Sequence, residues 1–444
     1  MKQILIFSVA VFIFSSCSRK EKATVNPFND PILFAKTVKE LNNVVMENNF
    51  SPIVASRNYA YASIAAYETI SLTDPRFPTF SGRLKQLTPL PRLDTNGVNI
   101  PYASLLAFCK VGQSVTFPEG SMKTYVAKLD SMAAESMDKE EIDKSKNLAD
   151  VVAKHIIDWS KGDYYTQTRT AEKYEVKNEE GRWVPTPPAY MEAVEPHWDM
   201  IRPMVMDSAD QFVPPAPPAF NVKDTSSKYY KEVMLIKNAI DSLTPEQKHI
   251  ADFWDDLGTR TIVKGHVSFL KKKFSPTGHW MNIVGIAAEK DKADFGTTVY
   301  AYALTSISMF DAFIQCWDEK YRDNTVRPET VINKYFDPEW RPFLETPPFP
   351  EYTCGHSTIS SAAAEALTSV FGDNFAYTDT SELEFNIPSR SFPSFRAAAI
   401  ENNWARFYGG IHYHNSCIIS NEYGKKVGDL VADKLKSSIS KKIN

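Results

Sequence analysis

The chain has 444 residues and a formal net charge of −4, with 43% hydrophobic and 23% charged residues. Those values allow a large core in one big domain or two ordinary ones, and they exclude wholesale disorder. The acidic balance excludes general nucleic-acid binding, so any basic site is local.

Lys2 precedes the apolar run Ile4 to Phe14, which is followed by Ser15-Ser16-Cys17. A short basic region, an apolar stretch and small residues make a secretory signal, and the run is too short to span a bilayer as a mature helix. Cys17 stands where a bacterial lipobox places the cysteine that is lipidated and becomes residue one. The expectation is a signal peptide over 1–16, a lipidated tether over 17–29 and one folded body over 30–444. Its location is then the bacterial cell envelope, anchored by lipid alone on the periplasmic or surface side. An ordinary cleaved signal is the alternative. The other cysteines, Cys109, Cys316, Cys354 and Cys417, form no CxxC pair. They imply no disulfide framework, and Cys109 and Cys316 read as core residues.

From Asp30 the pattern is helical. Ser51-Pro52 pairs a capping hydroxyl with a first-turn proline and opens an Ala- and Tyr-rich helix to Ile70. Pro101 to Val115 is a second apolar helix, and Met122 to Trp159 is one long or two shorter amphipathic ones. Periodicity fails between Gly162 and Lys223, where Trp183, Pro187-Pro188, Trp198 and Pro214-Pro215 suggest a long connection packed onto the body. Helices resume over Ser226–Asp241 and over Thr244–Asp256, where Thr244-Pro245-Glu246 is a start signal. A basic loop reaches Pro276-Thr-Gly-His279-Trp280. Helical patterns then dominate from Met281 through Lys320, with further helices over Ser357–Phe371, Phe395–Phe407 and Ile411–Leu435. Strand signals are nearly absent. The fold class is all-α, in helical bundles with a long proline-rich connecting segment.

Three clusters between Lys320 and His412 carry the chemistry. Lys320 and Arg327-Pro328 lie two helical turns apart, on one face if that helix persists; helix-end dipole compensation is the bland alternative. In the second cluster, Pro350 and Gly355 shape a turn that delivers Gly355 and His356 to a helix start. Free amides and the helix dipole there favour an anion, and a histidine of near-neutral pKa can move a proton. In the third, Arg406 precedes the Gly409-Gly410 break and His412, whose imidazole can ligate a metal or attack phosphorus. Three cations, two imidazoles and a glycine amide suit a tetrahedral oxyanion.

Taken together, Lys-x6-Arg-Pro, Gly-His and Arg-x5-His in that order resemble the signature of the vanadium-dependent haloperoxidase and type 2 phosphatidic acid phosphatase superfamily. The resemblance covers mainly 253–416. Asp311-Ala-x4-Trp317-x2-Lys320 and Pro348-Phe349-Pro-x-Tyr352 look like its larger, soluble haloperoxidase branch. The family is all-α, built on two four-helix bundles. The resemblance implies that Lys320, Arg327 and Arg406 neutralise the equatorial oxygens of vanadate or phosphate, with the Gly355 amide as a further donor. His412 would be the axial ligand to vanadium, or the nucleophile that becomes phosphohistidine. His356 would exchange a proton with the apical oxygen or the leaving group. Trp317 and Phe349 fall at the halide pocket.

Two departures stand out. Cys354 occupies the place of an oxyanion-binding serine, and a thiol is the weaker donor. Ser416 stands where an aspartate is expected after the last histidine, so His412 must be oriented from elsewhere, with His414, Asn415 or a backbone carbonyl as candidates. Asp255 and Asp256 are candidate partners of Arg406. The leading expectation is a vanadate-dependent haloperoxidase acting on halide and hydrogen peroxide. The alternatives are an acid phosphatase that needs no cofactor and hydrolyses a phosphate ester, and an inactive oxyanion-binding lipoprotein. Nothing in the sequence sets the oligomeric state.

Overall fold

The computed structural model describes residues 26–256, 259–264 and 267–441; the signal segment and Cys17 lie outside them. The first helices are α1 (Pro31–Glu47), α2 (Pro52–Ser71), α3 (Ile100–Val115), α4 (Lys123–Ser136), α5 (Lys139–Ser160) and the short α6 (Tyr165–Arg169). Then come α7 (Lys228–Asp241), α8 (Pro245–Phe253) and an antiparallel hairpin, β1 (Thr259–Lys264) with β2 (Val267–Lys272). The rest is α9 (Pro276–Asp291), α10 (Phe295–Asp323), α11 (Pro328–Tyr335), α12 (Gly355–Phe371), a hairpin of β3 (Tyr377–Asp379) and β4 (Arg390–Phe392), α13 (Phe395–Tyr408) and α14 (His414–Leu435). The architecture is all-α. No described helix is long and apolar enough to cross a membrane.

The start signals act as their chemistry dictates. Ser51 Oγ accepts from the Val54 amide at 3.3 Å ahead of Pro52. Thr244 and Gln247 form a reciprocal capping box around Pro245. Met122 to Trp159 resolves into two helices, with Asp138 capping the second. Three expectations are corrected. α9 begins at Pro276, because Ser275 Oγ accepts from the Gly278 amide at 3.2 Å, so His279 and Trp280 are helical rather than part of a loop. The stretch before it contains the β1–β2 hairpin. And α10 ends at Asp323, where Asn324 turns left-handed with φ 51°. Arg327 is instead the residue ahead of α11, so it does not share a helical face with Lys320.

Helices α1, α2, α3 and α5 pack as one bundle and α10, α12, α13 and α14 as a second, with α2 lying against α10 to join them. The second bundle depends on a close crossing of α12 and α14. A Cβ added to Gly424 would stand 2.0 Å from the Thr358 carbonyl oxygen, and one on Gly428 2.7 Å from that of Ala362. Glycine is required at that crossing. The proline-rich segment is pinned to the body, as its aromatics suggested. Trp183 and Trp198 are fully buried. The buried Asp311 carboxylate on α10 accepts the amides of Met204, Val205 and Met206 at 2.7, 2.8 and 2.9 Å.

Candidate active site

The C-terminal part of α10, the turn before α12 and the turn between α13 and α14 converge on one buried locus. Lys320 is fully buried, and its ammonium donates to the carbonyls of Pro350 (2.9 Å), Glu351 (3.0 Å) and Thr353. With three donors engaged, it shapes the turn and contributes charge. Burial, and then Arg327, pushes its pKa down to about 8. Arg327 donates through Nε to the Phe349 carbonyl and through Nη1 to that of Ile411, both at 2.8 Å. Arg406 donates through Nη1 to the Trp254 carbonyl at 3.1 Å. Both guanidiniums are fully buried.

His412 is oriented by a residue that sequence reasoning missed. Its Nδ1 lies 2.8 Å from Oε1 of the buried Glu351, which also accepts the Tyr413 amide at 3.2 Å. An Nδ1–H donated to that carboxylate leaves Nε2 unprotonated, and it accepts from Arg327 Nη1 at 3.1 Å. His414, one candidate for this task, packs instead against Trp404 and Phe407. Only the distance from a carboxylate 61 residues earlier in the chain hid this pair from the sequence pattern.

Gly355 and His356 open α12 as expected, and Cys354 at the N-cap makes no side-chain capping bond. The first-turn amides and the positive helix end are therefore offered to another acceptor. His356 is buried beside the cations. Burial first, and then the charge of Arg406, hold its pKa well below the ordinary value, so it rests neutral. Cys354 has Cys417, His412 and Ser357 as neighbours. Burial, with the Cys354 thiol beside it, holds the Cys417 thiol well above the usual range. Cys316, a core residue as expected, accepts a bond from Thr353 Oγ1 at 3.2 Å, immediately behind the same turn.

Among the described residues, five buried polar atoms here have no partner: Arg327 Nη2, Arg406 Nε and Nη2, His356 Nε2 and Ser357 Oγ. An unpaired buried donor costs about 1–3 kcal/mol, more when charged. Of their residues, His356 and Arg406 share one cavity, where an anion would meet the free donors of Arg406. Gly355, His356, Arg406 and His412 line a cavity of about 270 Å³, with Trp317 and Phe349 on its wall. The Trp317 indole N–H is committed to the Val194 carbonyl at 3.1 Å, so Trp317 offers the cavity its ring.

A second charged cluster borders the cavity. His279 Nδ1 lies 3.1 Å from both carboxylate oxygens of Asp256, and Nε2 lies 2.9 Å from Asp379. Burial alone would lower its pKa, but the two carboxylates hold it well above the ordinary value. Lys273 pairs with the buried Glu382 at 2.9 Å. Asp256, His279 and Glu382 place ligand atoms within 4.8 Å of one another. However, an imidazolium bonded at both nitrogens and an ammonium already supply the positive charge there. The cluster is read as structural. Asp256 thus pairs with His279, and a backbone carbonyl holds Arg406.

Residues 300–441 match the family model for the second helical-bundle domain of VCPO. No curated protein sequence matches the chain. A holo-type bacterial vanadium-dependent chloroperoxidase shares the fold at 16% identity and TM-score 0.63, over 88% of this chain and 93% of its own. The apo-type structure of a bacterial vanadium-dependent chloroperoxidase does so at 17% and 0.65, over 87% and 94%. A bacterial vanadium-dependent iodoperoxidase is 41% identical with TM-score 0.86, and the match covers 93% of this chain and 98% of that one. Identity at that level over nearly the whole of both chains makes this chain a member of the vanadium-dependent haloperoxidases.

Proposed function

We propose that this haloperoxidase oxidises iodide with hydrogen peroxide, and that Arg327, Arg406, the Gly355 amide, Cys354 and His412 would hold vanadate, with Lys320 adding charge. The observation that carries the reading is the set of buried donors left without partners on Arg327 and Arg406. Those donors fit vanadate: Nε and Nη2 of Arg406 form a free fork, Nη2 of Arg327 adds a further donor, and Lys320 adds charge from behind the turn. Bound vanadate supplies Lewis-acid activation of peroxide toward halide attack. The chain's residues do the rest. Glu351 fixes the tautomer of His412 and keeps Nε2 unprotonated, the state in which it would hold vanadate. His356, held neutral, takes a proton from the incoming peroxide through its unpartnered Nε2 and returns it to the departing oxygen. The rings of Trp317 and Phe349, 5.0 Å apart, border the path by which a soft, polarisable halide arrives. Iodide is favoured by the likeness to the iodoperoxidase.

The N-terminal reading is also part of the proposal. Residues 1–16 direct export, Cys17 carries the lipid, residues 17–29 tether, and 30–444 form one catalytic body at the bacterial cell envelope. The enzyme test is a vanadate titration of the apoprotein followed by paired assays for peroxide-dependent triiodide formation and phosphomonoester hydrolysis. Triiodide formation that appears only with vanadate, and is abolished in a folded His412→Ala variant, is the expected result. Ester hydrolysis without halide oxidation would overturn it in favour of a phosphatase, and activity in neither assay would leave an inert oxyanion-binding protein.

A further inference from the structure

Two buried thiols meet where α12 and α14 cross. Cys354 stands at the N-cap of α12 and Cys417 in the first turn of α14, and both are buried. The two helices run side by side in one register. The Cys354 amide donates to Ser420 Oγ at 2.8 Å, and Gly424 and Gly428 abut the Thr358 and Ala362 carbonyls on the turns that follow. Cys417 lies three residues before Ser420, so it shares the face of α14 that meets Cys354. The two thiols are direct neighbours. A disulfide needs Cα atoms about 4.4–6.8 Å apart, a span that backbones packed this closely provide.

The third thiol of the region is engaged elsewhere. Cys316 accepts from Thr353 Oγ1 at 3.2 Å and donates to the Thr353 carbonyl at 3.7 Å. The Cys354–Cys417 pair is approached from two sides. Gly355 and His356, next in the chain after Cys354, line the cavity that admits the small substrates. Cys417 lines a separate groove of about 240 Å³ between α13 and α14, with Asn403, Trp404 and Ile418. Trp404 and Ile418 are exposed, so this groove opens to solvent.

We infer that Cys417 is the resolving partner of Cys354, and that hydrogen peroxide converts the pair into a reversible disulfide that closes the anion site. Peroxide first oxidises the Cys354 sulfur. The O–O bond breaks, an S–O bond forms, and the thiol proton leaves with the other oxygen as water. The Cys417 sulfur then displaces the hydroxyl of that sulfenic acid, which departs with the Cys417 proton as a second water. Two thiols lose two electrons and one peroxide gains them. A sulfenic acid with no thiol beside it is instead oxidised onward to sulfinic acid, which ordinary reductants do not reverse. The S–S bond takes the Cys354 S–H from the anion and draws the α12 N-cap toward α14, displacing the Gly355 amide. Peroxide as the oxidant and vanadate as the anion rest on the haloperoxidase reading, whereas the pairing of the sulfurs does not.

The test treats the apoprotein with hydrogen peroxide and removes the peroxide with catalase and dialysis. Vanadate binding is then measured by equilibrium dialysis, beside mass mapping of the peptides. A cross-linked Cys354–Cys417 peptide, lighter than its parts by two hydrogens, is expected. Vanadate binding should weaken about tenfold and recover once a phosphine reductant has been applied and dialysed away. Untreated Cys417→Ala should bind vanadate as the wild type does. The same peroxide treatment should then leave Cys354 as sulfinic acid, with a loss of binding that phosphine does not reverse. A cross-link to Cys316, oxidation of wild-type Cys354 without a cross-link, or two intact thiols would overturn the inference. So would a cross-linked protein of undiminished vanadate affinity. If the untreated protein neither binds vanadate nor oxidises halide, the haloperoxidase reading falls, and the mass map still decides the disulfide.

Discussion

The Glu351–His412 pair decides how the unprotonated imidazole nitrogen is presented. Glu351 is buried and accepts from both His412 Nδ1 and the Tyr413 amide, so it fixes the ring and the turn that carries it. Glu351→Gln keeps the shape but replaces a carboxylate by an amide that can present N–H to Nδ1, which favours the wrong tautomer. Loss of such an orienting partner typically costs 10–100-fold in metal affinity. We expect vanadate activation to need about tenfold more vanadate, with unchanged thermal unfolding of the apoprotein; unaltered vanadate affinity would remove Glu351 from the site. Cys354 offers a complementary test. Its thiol lies among Cys417, His412 and Ser357, in the place of a serine whose hydroxyl is the stronger donor. Cys354→Ser should tighten vanadate binding by about 1 kcal/mol, near fivefold. Unchanged or weaker binding in the same titration would show that the thiol does not face the anion.

At the scale of elements, the proline-rich segment depends on one carboxylate. Asp311 gathers three successive amides from Met204 to Met206 inside the core. In Asp311→Asn an amide oxygen accepts fewer of them and the new NH₂ meets donors, at a cost of about 1–3 kcal/mol. Urea unfolding should show that loss; undiminished stability would mean that the segment is held by its tryptophans alone. Asp311 was visible in the sequence only as part of a motif, because its partners are backbone amides about a hundred residues away. The helix starts at Ser51-Pro52 and Thr244-Pro245 were legible, since capping is local chemistry. So were the three clusters, whose spacings survive in the folded site. Other features were hidden for equally physical reasons. Pro276-Thr-Gly has poor helix propensity, so the cap at Ser275 did not register as the start of α9. The seven-residue spacing of Lys320 and Arg327 looked like one helical face, but Asn324 breaks the helix, and the two cations meet across a turn. Glu351 stood in plain view within Pro-Glu-Tyr, yet only tertiary structure places it on His412.

Across the whole molecule, the two bundles divide the work. The second bundle supplies the cations and imidazoles, while the first bundle and the segment between them close the cavity around these groups. The proposed export would keep an enzyme that makes a reactive oxidant outside the cell. The described body begins at Asn26, which caps a short helical turn ahead of α1. Residues 18–25 lie between it and Cys17. Fully extended, that tether reaches about 30 Å, so a lipid on Cys17 would hold the enzyme against the membrane surface. A single acyl chain binds only marginally, whereas the multiple chains of a lipoprotein anchor hold stably. Cys17→Ala should therefore move the protein from the detergent phase to the aqueous phase in a temperature-driven detergent partition, with halide oxidation per molecule unchanged, since none of the proposed site residues belongs to the tether. Retention in the detergent phase would show that attachment runs through the folded body, and an aqueous wild-type protein would mean that the segment is an ordinary cleaved signal.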